Sequence, residues 1–192
     1  MRSKKLGSAG SAAGWDAEGL ELNPKTAAYA AKASGAVVHQ GNIQTFAPAR
    51  RYDAVILTDV LEHVPQPLDV LTRVGAFVRS GGWLAIKVPN GPAQRVKETL
   101  RARLRPSYRA TLADNLVHVN HFSPRSLGLA LERTGFSDVV VTTAAPELPA
   151  GGAAAERISR VARLAAFRLS RAVPGGVHLP LAFNLQAYAR RK

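Results

Sequence analysis

An aspartate, a glutamate and a histidine stand close together at Asp59, Glu62 and His63, inside the run Y-D-A-V-I-L-T-D-V-L-E-H-V-P-Q-P from Tyr52 to Pro67. Two carboxylates and an imidazole within about one helical turn can bind a polar ligand or move a proton. Each residue alone has a plainer role, Asp59 capping a short turn and His63 lying solvated in a loop. Together, at the end of an apolar segment, they make a candidate site.

Such a group needs a rigid support. Ala54 to Leu57 is an uninterrupted apolar run rich in β-branched residues, the pattern of a strand buried on both faces of a parallel sheet. It stops at Thr58 and Asp59. In open α/β sheets ligands bind beyond the carboxyl ends of the strands, so polar groups placed there meet the ligand. Pro65 and Pro67 then bring in a helix to about Val78, because proline loses no hydrogen bond in a first turn.

The same grammar runs on both sides of this segment. Trp15 to Glu21 reads as a short strand ending in a carboxylate. Asn23 and Pro24 follow as N-cap and first residue of a helix through about Lys32. Ala36 to His39 is a second strand, closed by Gln40-Gly41-Asn42. Ser80-Gly81-Gly82 is read as a turn into a fourth strand, Trp83 to Val88. Strands alternating with helices predict βαβ units and a parallel α/β sheet.

The second half is less regular. Pro89 to Pro106 is a basic, helical excursion carrying Arg95, Lys97, Arg101, Arg103 and Arg105. Ser123-Pro124 opens a helix to about Thr134, Gly135 ends it, and Val139 to Val141 is a strand. In Ala153 to Val173, Ile158, Ala162, Ala165 and Leu169 share one helical face, with Arg157, Arg160, Arg168 and Arg171 on the other side. Its apolar line is expected to pack over the substrate cleft first, with loose attraction to anionic surfaces second. Ala182 to Ala189 alternates like an edge or antiparallel strand.

The chain has 192 residues, one domain by size, and no cysteine, which excludes disulfides, thiolate zinc sites and cysteine nucleophiles. No run is long enough to cross a bilayer, and no apolar stretch follows the charged start, so a cytoplasmic protein is expected. The net charge is +13, with 10 Lys and Arg against 7 Asp and Glu in residues 1–90, and 16 against 6 in residues 91–192. The basic second half suits an anionic partner or a merely solvated surface.

The order of these motifs resembles the class I S-adenosylmethionine-dependent methyltransferases. The acid Glu21 ends one strand, G-N follows the next, Y-D-A-V-I-L-T-D-V-L-E-H-V the third, S-G-G-W-L-A-I-K-V-P-N forms the fourth, and H-F-S-P-R-S-L-G-L-A-L-E-R-T-G-F comes near the end. The likeness is greatest to the small-molecule branch that includes the ubiquinone-biosynthesis O-methyltransferases. It covers about Gly14 to Val141, with Asn184 to Arg190 as the last strand. It implies a Rossmann-like sheet with an antiparallel last strand, S-adenosylmethionine as cofactor, and a small, perhaps anionic, methyl acceptor.

Carried over by position, the resemblance gives Glu21 the ribose hydroxyls, which a carboxylate suits because it offers two acceptor oxygens to a vicinal diol. It lays Leu22 against the adenine face, brings Asn42 to the adenine edge and packs Ile43 on the ring. Thr58 and Asp59 fall near the methionine end of the cofactor, and His63 near the methyl group or acceptor. His118 and His121, in N-L-V-H-V-N-H-F-S-P, match a segment over the active site, and either suits a general base toward a hydroxyl. Two histidines three apart could also ligate a metal, but no third ligand is placed with them, and no metal is expected.

The expected domain is a single methyltransferase domain over 1–192, with core 14–141, substrate cover at 91–122 and 150–176, and last strand 182–190. The family's first strand and glycine-rich loop are not found: Gly7, Gly10 and Gly14 have neither their spacing nor their context. The chain therefore reads as truncated, with the central strand of the sheet missing. The alternative is an inactive remnant of the fold that binds nucleic acid or an anionic membrane surface through the basic second half.

Overall fold

The computed structural model describes residues 14–104, 118–146, 148, 151, 154–179 and 183–192. Gly7, Gly10, Arg105, Pro106, Ala153 and Ala182, which figure in the sequence reading, lie outside the described residues. The chain divides into two compact units, Met1–Ala49 and Arg50–Lys192.

The first unit holds β1 (Glu18–Glu21), α1 (Pro24–Ser34) and β2 (Val37–Gln40). β1 and β2 are parallel, with Glu18 opposite Val37 and Glu21 opposite Gln40. That register brings Glu21 and the chain after Gln40 to the same carboxyl edge. Helix α1 begins where expected: the Asn23 side chain accepts from the N–H groups of Lys25 at 2.9 Å and Thr26 at 3.2 Å, satisfying donors that the first turn leaves unpaired. It ends at Gly35, whose φ of 70° is left-handed and favours glycine. The strand is shorter than predicted, and Trp15 lies ahead of it, exposed.

The second unit carries β3 (Tyr52–Thr58), a 3-10 turn (Leu61–His63), α2 (Pro67–Phe77), β4 (Val78–Pro89), α3 (Gly91–Leu104), α4 (Pro124–Arg133), β5 (Phe136–Thr143), α5 (Ala154–Ala172), a second 3-10 turn (Gly176–His178) and β6 (Asn184–Arg191). The sheet order is β3-β4-β6-β5. β3 and β4 are parallel, and β6 runs antiparallel to both β4 and β5. Helices α2 and α4 touch each other and cover one face of this sheet, α2 on β3 and β4, α4 on β5 and β6. The core lies there, where Leu84, Ile86 and Val88 of β4 and Leu185, Ala187 and Ala189 of β6 are buried at the two-residue period of a strand.

Three sequence expectations change. Among the described residues β3 pairs with β4 alone, at the edge of this sheet, and Ile56 is exposed, so the strand is not buried on both faces. An all-apolar run reports composition and not the number of neighbours. Ser80-Gly81-Gly82 is not a turn before the strand but a bulge inside β4: the ladder with β3 shifts between Tyr52 and Ala54, and Gly81 takes φ 75°. Gly82 is packed so closely on the Asp53 carbonyl that a Cβ would lie 2.8 Å from it. Finally, the last strand is antiparallel, as expected, and lies not at an edge but between β4 and β5.

Candidate active site

In the first unit the predicted residues gather at the carboxyl edge of β1 and β2. The backbone N–H of Gly41 donates to the Glu21 carbonyl at 3.0 Å, tying the two strand ends together. One Glu21 carboxylate oxygen, Oε1, accepts from the Asn23 N–H at 2.9 Å, at the positive end of α1. Leu22 projects beside it, 65% exposed. The Asn42 side-chain oxygen accepts from the Gln44 N–H at 2.9 Å, and the Asn42 carbonyl accepts from Thr45 and Phe46. The residue thus builds the turn after Gly41, with Ile43 half-buried inside it.

In the second unit the geometry starts from Asp59. Its φ of 54° is left-handed, a region that aspartate tolerates better than most residues. The kink follows directly on Thr58, the last residue of β3, and the Asp59 N–H donates to the Lys87 carbonyl at 3.1 Å. The Lys87 ammonium lies 3.6 Å from Asp59 Oδ1. The chain then makes the tight turn Leu61–His63, which buries Leu61 and Glu62 and leaves His63 at the surface.

Glu62 is the least expected member of the group. Its side chain is 1% exposed, and among the described residues neither carboxylate oxygen has a hydrogen-bond partner of normal geometry. The Glu62 carbonyl accepts from the N–H groups of Val119 at 2.7 Å and Asn120 at 3.0 Å. The Asn120 side chain donates to the carbonyls of Leu61 and Val64. This backbone clamp brings His118 over the turn, with its ring centroid 5.2 Å from that of His63. Ligand atoms of Glu62, His63 and His118 all lie within 4.8 Å of one another. Gln94 of α3 reaches His118 Nδ1 at 3.5 Å, and His121 stays outside the cluster, exposed, its backbone packed on Gly91.

Burial pushes the Glu62 carboxyl above its ordinary range. The charge of Asp59 adds to the rise, while the residue's own N–H, His63 and Lys87 work the other way. Burial also holds His118 below the ordinary imidazole value of 6.5, helped by the like charges of His63 and His121 and opposed by Asp59. His118 is therefore neutral at physiological pH and able to accept a proton.

Thr58, Asp59, His63 and His118 fall in one neighbourhood. Sequence reasoning singled out Glu62 but assigned it no part, and it missed Lys87, Gln94 and Asn120. The signal for Lys87 was present: a lysine inside the apolar strand A-I-K-V-P-N. Nothing comparable marks Gln94 or Asn120.

The parallel strands, the kinked loop at the end of β3 and the antiparallel β6 between β4 and β5 define a class I methyltransferase fold. Residues 6–141 match the family model of the methyltransferase domain, and the chain belongs to that family. Solved structures with the same fold include an S-adenosylmethionine-dependent methyltransferase from Archaeoglobus fulgidus, with 15% identity, TM-score 0.63, and coverage of 98% of this chain and 82% of that one. A second is the magnesium protoporphyrin IX methyltransferase of Synechocystis PCC 6803 with bound S-adenosylhomocysteine, at 13% identity, TM-score 0.61 and 99% and 70% coverage. A methyltransferase from Thermotoga maritima aligns with 13% identity, TM-score 0.60 and 91% and 72% coverage. A sequence comparison with curated proteins gave no match.

Proposed function

We propose that the chain transfers the methyl group of S-adenosylmethionine to a hydroxyl of a small-molecule acceptor, with His118 as general base. The observation that carries this reading is the His118 ring, held beside His63 above the buried Glu62 by the clamp from Asn120, where burial lowers its pKa. A base must be unprotonated at working pH and fixed in place, and His118 meets both needs. The resemblance of the whole motif order to the small-molecule branch that includes the ubiquinone-biosynthesis O-methyltransferases supports oxygen as the acceptor atom.

The residues at the strand ends suit the cofactor. Glu21 Oε1 is engaged with Asn23, which orients the carboxylate and leaves Oε2 for a ribose hydroxyl. Exposed Leu22 offers an apolar surface to adenine, and Ile43 a second. Because the Asn42 oxygen faces Gln44, its NH2 group is the one turned to a ring nitrogen. Asp59 accepts from the α-amino group of the methionine end, with Thr58 beside it and Lys87 limiting its charge. The cofactor supplies an already activated methyl group, so the chain has only to align donor and acceptor and take the proton. Among the described residues, α3 (Gly91–Leu104) and α5 (Ala154–Ala172) fall in the two segments read as substrate cover. Nothing among the described residues supports a non-catalytic remnant.

The test is calorimetry with S-adenosylmethionine, followed by transfer of a labelled methyl group to a panel of phenols, alcohols, amines and carboxylates. Labelled phenol or alcohol that fades in His118→Ala supports the reading. No binding of cofactor to the folded chain removes it.

One observation favours a second reading of the same cluster. Two imidazoles and a carboxylate within 4.8 Å match the nitrogen and oxygen donors that a divalent ion such as zinc accepts. Stoichiometric metal in the purified protein, lost in Glu62→Gln, would select it.

A further inference from the structure

The helix α5 turns its apolar line outward. On the 3.6-residue repeat, Ile158, Val161, Ala162, Ala165 and Leu169 share one face. All five are exposed, Ile158 to 70%, so the expectation that this line packs on the domain is not met. The helix instead turns its opposite side inward, where Leu164, Ala166 and Phe167 are half-buried. Ser170 is buried and donates to the Phe167 carbonyl at 2.9 Å, and Gly176 closes on the Ser170 backbone.

Helix α3 repeats the pattern. Val96, Leu100 and Leu104 recur every four residues and are exposed, Leu104 to 72%. Cations accompany both lines: Arg95, Lys97, Arg101 and Arg103 on α3, and on α5 Arg157 and Arg168 along one border of the apolar line with Arg160, Arg163 and Arg171 on the opposite side, against Glu98 and Glu156 as the acids. The two helices are electrostatic neighbours, because Arg163 of α5, together with Arg101, disfavours the charge on Lys97, whose ammonium is already weakened by burial. An exposed aliphatic line bordered by arginines, on helices with many more bases than acids, points to an anionic partner.

We infer that the exposed line of α5, with that of α3 as a second contact, docks on an anionic membrane, the aliphatic residues entering the lipid interface and the bordering cations, Arg157 and Arg168 on α5, meeting lipid phosphates. An apolar face with basic flanks is the pattern of an interfacial helix. No helix among the described residues is long and apolar enough to cross a membrane, so the contact is with its surface. Nucleic acid fits less well, since single strands are held by cations and stacked aromatic rings, whereas the exposed faces here carry aliphatic groups. A second copy of the same surface would bring cations against cations. Gln94, in the first turn of α3, touches His118 from the side of the helix away from the exposed line. The inference does not depend on the chemistry proposed for His118.

The experiment is co-sedimentation of the full chain with vesicles of phosphatidylcholine, with and without phosphatidylglycerol, over a salt series. Binding is expected only with the anionic lipid, and it should weaken as salt screens the charges but leave a residue at about 1 M salt, where the Debye length is about 3 Å. Arg157→Gln with Arg168→Gln should lower the partition coefficient roughly 30-fold, since each basic residue near the surface contributes about a fivefold factor. Ile158→Ser with Leu169→Ser should lower it about tenfold or more, because both side chains bury apolar area in the interface. All four residues face solvent, so the thermal midpoint should stay unchanged. No sedimentation with anionic vesicles at low salt overturns the inference. So does binding indifferent to the serine pair and displaced by a short nucleic acid duplex, which would assign the surface to nucleic acid.

Discussion

The Nε2 atom of His63 stands 3.9 Å from Glu62 Oε1, a carboxylate oxygen sealed from solvent. The distance is too long for a hydrogen bond, so the imidazole tempers the buried charge without neutralising it by contact. A polar group in that position is costly to folding unless it is protonated or meets a ligand. Its retention beside two histidines marks the centre of the site.

Protein stability should fall as pH rises through the Glu62 transition. Its folded pKa is raised above the ordinary 4.5, so the native state binds the proton more tightly. The stabilisation is full below 4.5 and is lost as pH climbs through the raised value. Each unit of rise corresponds to about 1.4 kcal/mol. Urea midpoints measured across this window should decline in the wild type and flatten in Glu62→Gln. Equal slopes in both proteins would refute the account.

Activity should disappear on the acid side below the usual histidine range. The His118 pKa is held under 6.5, so the neutral base persists to lower pH than a free imidazole, and the acid limb of kcat/KM should have its midpoint there. Its effect on stability has the opposite sign to that of Glu62: present above 6.5 and lost as pH falls through the folded value. His118→Ala should reduce kcat by about 100-fold or more, the range for a general base, with cofactor affinity unchanged. An unaltered pH profile in His118→Ala would exclude it as the base.

Cofactor affinity should drop by roughly 1.5 to 3 kcal/mol in Glu21→Ala, the range for hydrogen bonds to a charged group. The same change removes the acceptor of the Asn23 N–H, so a small loss of thermal stability should accompany it. Calorimetry separates the two: stability loss with full affinity would leave Glu21 as a helix anchor only.

Asp59 can be dissected through its backbone. At φ 54° Asp59→Ala adds strain of about 1 kcal/mol, while Asp59→Gly adds none of it. If the carboxylate holds the cofactor, both variants lose affinity to a similar degree and only the alanine variant loses stability. Affinity that returns in Asp59→Gly would assign the residue to loop geometry alone.

Much of this protein could be read before any coordinates because the relevant forces are local. Asn23-Pro24 and Gly35 delimit α1, and Ser123-Pro124 opens α4, since caps act on the N–H and C=O groups of adjacent residues. The strand read from Ala54 to Leu57 runs from Tyr52 to Thr58, and Asp59 follows it at the carboxyl end, as predicted. What depends on distant partners was beyond reach. Glu62 is buried because Val119 and Asn120 close over its turn, and no pattern around residue 62 announces them. His118 meets His63, while His121, three residues on, does not, because the backbone clamp fixes one rotation of that segment. The α5 periodicity correctly identified an apolar face, yet the side turned inward is the one with Leu164, Phe167 and Ser170. Periodicity groups side chains on a face, but only the competing contacts of the whole unit decide which way that face turns.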